Sequence, residues 1–531
     1  MKRSMTVVSA ATIAVLLWFS ITGCSSKSSS VIAPSVSNGE VPGRTAMYFD
    51  PSDTIFGDES THGSDVDIAS VVWGGSAVAG DIVVFDDDTS WDVAVAIVDD
   101  PDNYQHPAVP MLQFLRNDGV MVGDQIEVPF VSAQVTYARL PKIDCTYRGN
   151  DNLEVVVAFR TGQDAFTWQS MQTWDVRVIK MVFEYTYSSS GWDLASSGAM
   201  TGGGMAVPLL PQTHPDIVYD QKTKDIYLAW THATTSTVEV RYARHDSAEN
   251  DQTWHGPYSL EDESEWGPYN GWFVSLDAGI VAGIEQDPER YVGFAYTGIF
   301  PQGSGDWWGF RPIVGWWSIE SGEDDDSHPP LVRLIVTVVA GYDDQIFNPF
   351  TDNDPNKYDA GLIRVDIPCD NATEHGAAVV FVQDTCDEYT GLYDVYGISS
   401  LDYSAYTWLS DPGETWDFVQ GTWPSIAVDN SDGDTASVTF MASEPYSDWL
   451  TYANFWVIDS AGSIAEATEV DLVADGDFSL DINDFMLHNW GTASSLVGET
   501  QGNSLYWTAW SDRMGSSEPN AVKGCMGYAN P

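Results

Sequence analysis

Outside its first 45 residues the chain repeatedly alternates apolar and polar positions, and short runs of Gly, Asp, Asn and Ser interrupt the alternation. A period of two predicts strands with one buried face. The clearest unit joins His214-Pro215-Asp216-Ile217-Val218-Tyr219-Asp220 through a short polar turn to Asp225-Ile226-Tyr227-Leu228-Ala229-Trp230. Two such runs about a polar turn predict a β-hairpin. The same shape recurs from Gly80 to Ile97, Pro141 to Phe159 and Ile280 to Tyr296. It recurs again from Leu362 to Phe381, Trp423 to Phe440 and Leu496 to Trp510. No stretch sustains a helical period, and the abundance of Trp, Tyr, Val and Thr among Gly and Asp turns also favours strands.

Seven hairpins at a mean step of roughly 70 residues predict an all-β fold, a six- or seven-bladed β-propeller with seven favoured. The segment from Pro107 to Arg139 supplies either half a blade or a whole one. A pair of β-sandwiches would give the same hairpin signal without closing into a ring. A second repeated element is a strand fragment: Tyr137-Ala138-Arg139, Tyr242-Ala243-Arg244, Tyr452-Ala453-Asn454 and Tyr528-Ala529-Asn530.

Charge narrows the partners. The 531 residues carry 78 Asp plus Glu against 22 Lys plus Arg, a net charge of −56. That balance excludes a nucleic-acid binder, which needs a basic face to displace counterions, and docking on anionic lipid through a polybasic patch. With 43% hydrophobic residues and 22 Trp, the chain is far too apolar for a disordered acidic protein.

The N-terminus reads as a targeting signal. Lys2 and Arg3 precede an apolar run from Met5 to about Ile21, followed by Ile21-Thr22-Gly23-Cys24. These four residues resemble the lipobox of bacterial lipoproteins, which implies cleavage after Gly23 and lipidation of the Cys24 thiol. By the same resemblance, Ser25 implies the outer membrane. Residues 1–23 are then the signal peptide, 24–45 a lipidated Cys and flexible tether, and 46–531 the propeller domain with a Trp-rich insertion around 260–330. The membrane would be reached through the lipid anchor only. Cys145, Cys369, Cys386 and Cys525 remain, and they read as one or two structural disulfides or as buried thiols.

Ser247-Ala248-Glu249-Asn250-Asp251-Gln252-Thr253-Trp254 and Asp411-Pro412-Gly413-Glu414-Thr415-Trp416 resemble the Asp-box of the sialidase-like (BNR-repeat) β-propeller superfamily. The first keeps Ser, Thr and Trp; the second keeps Asp, Gly, Thr and Trp, with Leu409 where Ser is expected. In that superfamily the box stabilises a hairpin away from the catalytic face. Arg139-Leu140-Pro141 resembles the Arg-Ile-Pro motif of sialidases, with Ala158-Phe159-Arg160 and Asp164 following at similar distances. The resemblance implies that Arg139 grips a substrate carboxylate, Arg160 lines the pocket and Asp164 is the acid/base. A planar guanidinium suits a carboxylate because it binds as a bidentate fork. The remaining arginines and the Tyr/Glu pair of the family have no recognisable motif here.

Other residues offer binding chemistry. Trp266, Trp272, Trp307, Trp308 and Arg311 cluster in the Trp-rich segment, and aromatic faces bury sugar C–H surfaces at low entropic cost. They equally suit packing between blades. His106-Pro107, His214-Pro215 and His328-Pro329 could line a central funnel or sit as packing residues at strand starts. Acidic loops at Asp86–Asp88, Glu323–Asp326, Asp429–Asp434 and Asp475–Asp484 could hold Ca2+, although Leu480 and Met486 stand where a calcium loop needs Gly and an acid. No metal-ligand spacing and no organic cofactor motif is present in the sequence.

The expectation is a cell-envelope lipoprotein whose sialidase-like propeller displays a binding face for carbohydrate or a surface protein. The alternatives are a sialidase-like glycoside hydrolase or propeller-type polysaccharide lyase on the same scaffold, and a structural envelope protein.

Overall fold

A computed structural model describes 28 strands between Val66 and Ala529, together with residues 128–129, 151, 200, 220–225 and 246. The chain divides into two units, residues 1–40 and 41–531, and every described residue lies in the second. The expected signal, Cys24 and tether lie outside the described residues.

All the described elements are strands. After β1 (Val66–Ser70), sheet 1 comprises β2 (Ser76–Val84), β3 (Asp92–Asp100), β4 (Pro110–Arg116) and β5 (Met121–Glu127). Sheet 2 holds β6 (Ala138–Gly149), β7 (Asn152–Thr161), β8 (Asp175–Thr186) and β9 (Gly191–Ala199). Sheet 3 holds β10 (Gln212–Tyr219), β11 (Ile226–Ala233), β12 (Val238–His245) and β13 (Trp254–Ser259). Sheet 4 holds β14 (Asn270–Val281), β15 (Glu289–Gln302), β16 (Trp307–Ser318) and β17 (Leu331–Ile335). Sheet 5 holds β18 (Ile363–Asp366), β19 (Ala378–Asp384), β20 (Tyr393–Ser399) and β21 (Thr407–Trp408). Sheet 6 holds β22 (Gln420–Val428), β23 (Thr435–Ser443), β24 (Trp449–Ile458) and β25 (Ile464–Asp471). Sheet 7 holds β26 (Thr492–Thr500), β27 (Asn503–Asp512) and β28 (Ala521–Ala529), and β1 completes it by pairing antiparallel with β28.

The described strands thus form seven four-stranded antiparallel sheets. The first strand of each lies against the first strand of the next, through β2, β6, β10, β14, β18, β22 and β26, and β26 returns to β2. That circuit is a β-propeller, and stitching the N-terminal strand into the last sheet removes the open edges that a row of sheets would leave. Each of the seven hairpins read in the sequence is the innermost pair of one sheet.

Two sequence expectations change, and one open alternative is resolved. The Trp-rich segment is not an insertion: residues 270–318 supply three long strands of sheet 4. The stretch after Pro107 is half a sheet, β4 and β5. The four Tyr-Ala fragments are not one element, because Tyr242, Tyr452 and Tyr528 lie on third strands whereas Ala138-Arg139 begins an innermost one.

Apolar side chains fill the seams between sheets. Leu112 and Phe114 of sheet 1 pack against Ile143, Val157, Phe159 and Phe183 of sheet 2. The opposite face of sheet 2, with Val156, Ala158, Val176 and Val178, packs on Ile217, Tyr219, Leu228 and Trp230 of sheet 3. Sheet 3 turns Tyr227, Ala229, Val240 and Tyr242 toward Val274, Leu276 and Phe294 of sheet 4. Strand alternation therefore feeds two seams from one sheet. Cys145 is a buried free thiol in the first seam.

Polar clasps cross these seams. The Asp81 carboxylate accepts the Ile82 N–H at 3.1 Å and, across the seam, the Ile143 N–H at 3.1 Å. Asp144 accepts Cys145 N–H at 2.7 Å and Tyr219 N–H at 2.5 Å. Asp216 accepts Ile217 N–H at 3.0 Å and Leu276 N–H at 2.8 Å. Each innermost strand has one side without a ladder partner, and its buried N–H groups need acceptors; at these seams an aspartate on the preceding sheet supplies one. A second tie is made by Trp254, whose indole N–H donates to the Met200 carbonyl at 2.8 Å and joins the outermost strand of sheet 3 to the end of sheet 2. Trp254→Phe is expected to cost roughly 1–2 kcal/mol, one hydrogen bond plus a small loss of ring volume. Urea denaturation followed by circular dichroism measures it, and an unchanged midpoint would contradict the tie.

Candidate functional site

In an antiparallel sheet of this order, the start of the first strand, the end of the second and the start of the third share one end, here termed the leading end. The leading ends of neighbouring sheets 2 and 3 lie on the same side of the ring. Asp144 reaches Tyr219, and two residues further on Thr146 Oγ1 donates to Gln221 Oε1 at 3.0 Å, so β6 and β10 advance in the same direction.

Six of the innermost strands are bent, β6, β10, β14 and β22 near this end and β2 and β26 further along. Register shifts interrupt β2 at Gly80, β6 at Leu140-Pro141, β10 at His214-Pro215, β14 at Phe273-Val274, β22 at Trp423-Pro424 and β26 at Val497. Leu140 and His214 take positive φ values of 53° and 46°, an uncommon backbone for residues other than glycine. Bulges re-aim the chain around functional sites, and strained φ values concentrate there. His214 belongs to this bulge; His106 and His328 lie outside the described residues.

The sequence candidates distribute as follows. Arg139 and Arg160 are direct cross-strand partners at the leading end of sheet 2, and Arg160 is 5% exposed. Asp164 and Trp266 lie outside the described residues. Trp272 pairs with Thr297, Trp307 with Gln302, Trp308 with Pro301 and Arg311 with Gly298, all at the leading end of sheet 4. Thus the candidates that can be placed fall at leading ends, on sheets 2 and 4, with sheet 3 between them.

Sheet 3 contributes residues that the sequence reading passed over. At its leading end Trp230 pairs with Arg241 and His232 with Glu239 across β11 and β12, and an Arg241 Nη2 to Glu239 Oε2 ion pair joins the two rungs. Sheet 2 adds Asp175 and Arg177, paired at 2.6 Å. Burial pushes the Asp175 carboxyl above its ordinary value, against the lowering effect of the Arg177 guanidinium and the Val176 N–H. Asp175 also lies beside Thr161, whose hydroxyl donates to the Asp175 carbonyl at 3.1 Å. The only sequence signal for this group was alternation: Trp174-Asp175-Val176-Arg177 and Glu239-Val240-Arg241 place like residues on one face.

The opposite ends of the sheets are organised differently. There the β10–β11 turn folds on Asp220, which accepts the Thr223 N–H at 3.0 Å, while Lys224 Nζ donates to Thr146 Oγ1 at 2.8 Å. Asp225 is clamped by Arg244 through two nitrogens at 2.8 and 3.1 Å. Here the polar groups are engaged with one another, which is the arrangement of a structural turn. The four acidic loops considered for Ca2+ lie outside the described residues, and among the described residues no group of three or more His, Cys, Asp or Glu is arranged to hold a metal ion.

No protein-family model matches the chain, and no curated protein does. Solved structures similar to it include an ulvan lyase of polysaccharide lyase family PL25, at 11% identity and a TM-score of 0.41, with 87% of this chain and 95% of that one covered. A second is the GH93 α-L-arabinofuranosidase of Fusarium graminearum in complex with arabinobiose, at 12% identity and a TM-score of 0.40, covering 71% of this chain and 92% of that one. A third is a Hadza microbial sialidase, at 11% identity and a TM-score of 0.35, covering 79% of this chain and 73% of that one.

Proposed function

We propose that this chain is a lipid-anchored protein of the bacterial cell envelope, attached at Cys24, whose β-propeller binds carbohydrate at the leading ends of its sheets. One observation carries the reading: Arg139, Arg160, Trp272, Trp307, Trp308 and Arg311, chosen for their chemistry, occupy the leading ends of sheets 2 and 4. Aromatic rings and guanidinium groups together provide stacking area and oriented donors for hydroxyl and carboxylate oxygens.

The test is a glycan array probed with the full-length chain in detergent, with and without Ca2+, read for retention and for released product. Retention without turnover is the expected result, and the double variant Trp307→Ala/Trp308→Ala is expected to lower it at least tenfold with the circular dichroism spectrum unchanged. Silence across neutral, sialylated and uronate-bearing glycans would favour a protein partner or a structural role instead.

A hydrolase or lyase is the second reading, supported by the direct pairing of Arg139 with Arg160. Product release on the array would establish it, and Arg139→Lys and Asp164→Asn would then be the first variants to assay.

A further inference from the structure

We propose that β9, the outermost strand of sheet 2, is a dimerisation edge, to which a second copy of this chain adds its own β9 antiparallel about a two-fold axis at Gly198. An open ladder edge and an uncharged surface coincide on this strand of a strongly acidic molecule. The inference does not depend on the carbohydrate-binding reading above.

Each sheet ends in one outermost strand, and such an edge invites pairing with another chain unless a charge, a proline or shortness blunts it. Six of the seven edges are blunted. Asp67 stands in β1, Asp124 and Glu127 in β5, Pro257 in β13, Arg333 in β17, and Glu466, Glu469 and Asp471 in β25, while β21 is two residues long. None of these strands runs more than three residues without a charge or a proline. In β9 the six residues Leu194 to Ala199 follow Asp193 with neither, and all six are exposed. The sequence extends the same character: from Leu194 to Pro215 there is no Asp, Glu, Lys or Arg, the longest such run outside the first 45 residues.

Alternation decides which backbone groups are open. The Met200 N–H donates to the Val178 carbonyl of β8 at 3.0 Å. The register with β8 is unbroken from Ser196 to Ala199, so Gly198 also faces β8, while Ser197 and Ala199 direct their N–H and C=O groups away from the sheet. The bulge at Ala195 lies before this stretch. With the two-fold axis at Gly198, Ser197 of each copy exchanges hydrogen bonds with Ala199 of the other, and the two Gly198 face each other with no side chain between them. Charge selects the occupant. At a net charge of −56 two copies repel over most of their surface, and a basic partner would be drawn to that acidic surface instead of this strip. The strip suits a partner that is itself acidic, and a two-fold contact makes one patch complementary to itself. The antiparallel register keeps the two Asp193 roughly 30 Å apart at about 3.4 Å per residue, beyond the Debye length of about 8 Å. A parallel register would set them side by side.

The experiment uses the full-length chain in detergent, with micelles in excess over chains, and sedimentation velocity over a concentration series. The expected result is a dimer that dissociates on dilution and tightens as NaCl is raised from about 50 to about 500 mM, because salt screens the repulsion between copies. Ser197→Pro removes an outward N–H that sheet 2 does not use and is expected to weaken the dimer at least tenfold with the circular dichroism spectrum unchanged. A second measurement fixes the register. Facing residues of a pair without ladder hydrogen bonds have Cα atoms about 4.5 Å apart, within the span of roughly 4.4–6.8 Å that a disulfide bridges. Nothing lies within 4 Å of a Cβ built at Gly198, so Gly198→Cys is expected to give a covalent dimer when copper phenanthroline oxidises the two thiols. Wild type and Ser196→Cys, whose thiol would face Met200 of the other copy, are expected to remain uncrosslinked. A monomer at every concentration overturns the proposal, as does a dimer that Ser197→Pro leaves intact or that weakens with salt. Equal crosslinking by Ser196→Cys overturns it too, and should Ser197→Pro fail to fold, the two cysteine variants decide alone.

Discussion

Asp144→Ala is expected to destabilise the protein by about 2–4 kcal/mol, because it strands the buried N–H groups of Cys145 and Tyr219 on either side of a seam. The returned desolvation of the carboxylate keeps the loss below the sum of two orphaned donors. Asp144→Asn retains one acceptor and presents an amide N–H to the other donor, so a loss of similar sign follows. Burial is the largest influence on this carboxyl and raises its pKa well above the ordinary aspartate value. The Tyr219 and Cys145 N–H groups pull it back, and the neighbouring Asp277 and Asp81 charges push it further up. A pKa raised by folding means that the folded state holds the proton more tightly than the unfolded chain. The stability this carboxyl contributes is therefore complete below the unfolded value of about 4 and declines as pH rises through the raised folded value. Thermal midpoints of wild type and Asp144→Asn across pH 4 to 8 measure this directly. The wild-type advantage is expected to be widest at the acidic end, and an advantage that grows with pH would contradict the assignment.

Phe114→Ala is expected to cost about 3–5 kcal/mol, the usual range for an excavated aromatic core position. Phe114 is 1% exposed. It meets Phe183 edge-on, with ring centroids 5.0 Å apart, and stacks on Trp192 at 6.4 Å. These contacts bridge sheets 1 and 2, so the hole would open at a seam and not within one sheet. Phe114→Leu, which keeps much of the volume, should recover at least half of the loss. Urea midpoints for the pair check this, and a loss below about 1 kcal/mol for alanine would mean that the seam collapses around the gap.

The innermost hairpins were legible in the sequence because their strands are buried on both faces or alternate strongly; Leu153–Thr161 is the clearest case. The outermost strands were much less so. In β9 only Gly191 and Trp192 are buried and the next seven residues are exposed, so no apolar period marks it. The Trp-rich segment read as an insertion because β14, β15 and β16 are longer than average strands, and Gly-rich stretches within them imitate loops. The aspartate clasps were present in the sequence as Asp81-Ile82 and Asp216-Ile217 at equivalent places, but one residue cannot announce a partner about 60 positions away. For the candidate site, the sequence reading singled out Arg139 and Arg160 and passed over Trp230, His232, Glu239 and Arg241. These last are ordinary strand residues by pattern, and only the pairing of β11 with β12 brings them together at one end of sheet 3.

The pairing of β1 with β28 has a consequence for biosynthesis. Val66 finds its partner in Gly524, and Ser70 in Ala521. The first described strand must therefore wait, without its sheet partner, until residues 521–524 have been synthesised. No nascent fragment can complete the ring, and a chain stopped short of residue 521 would present two raw sheet edges to its neighbours. The ring can therefore close only when the strands at both ends of the circuit are present together.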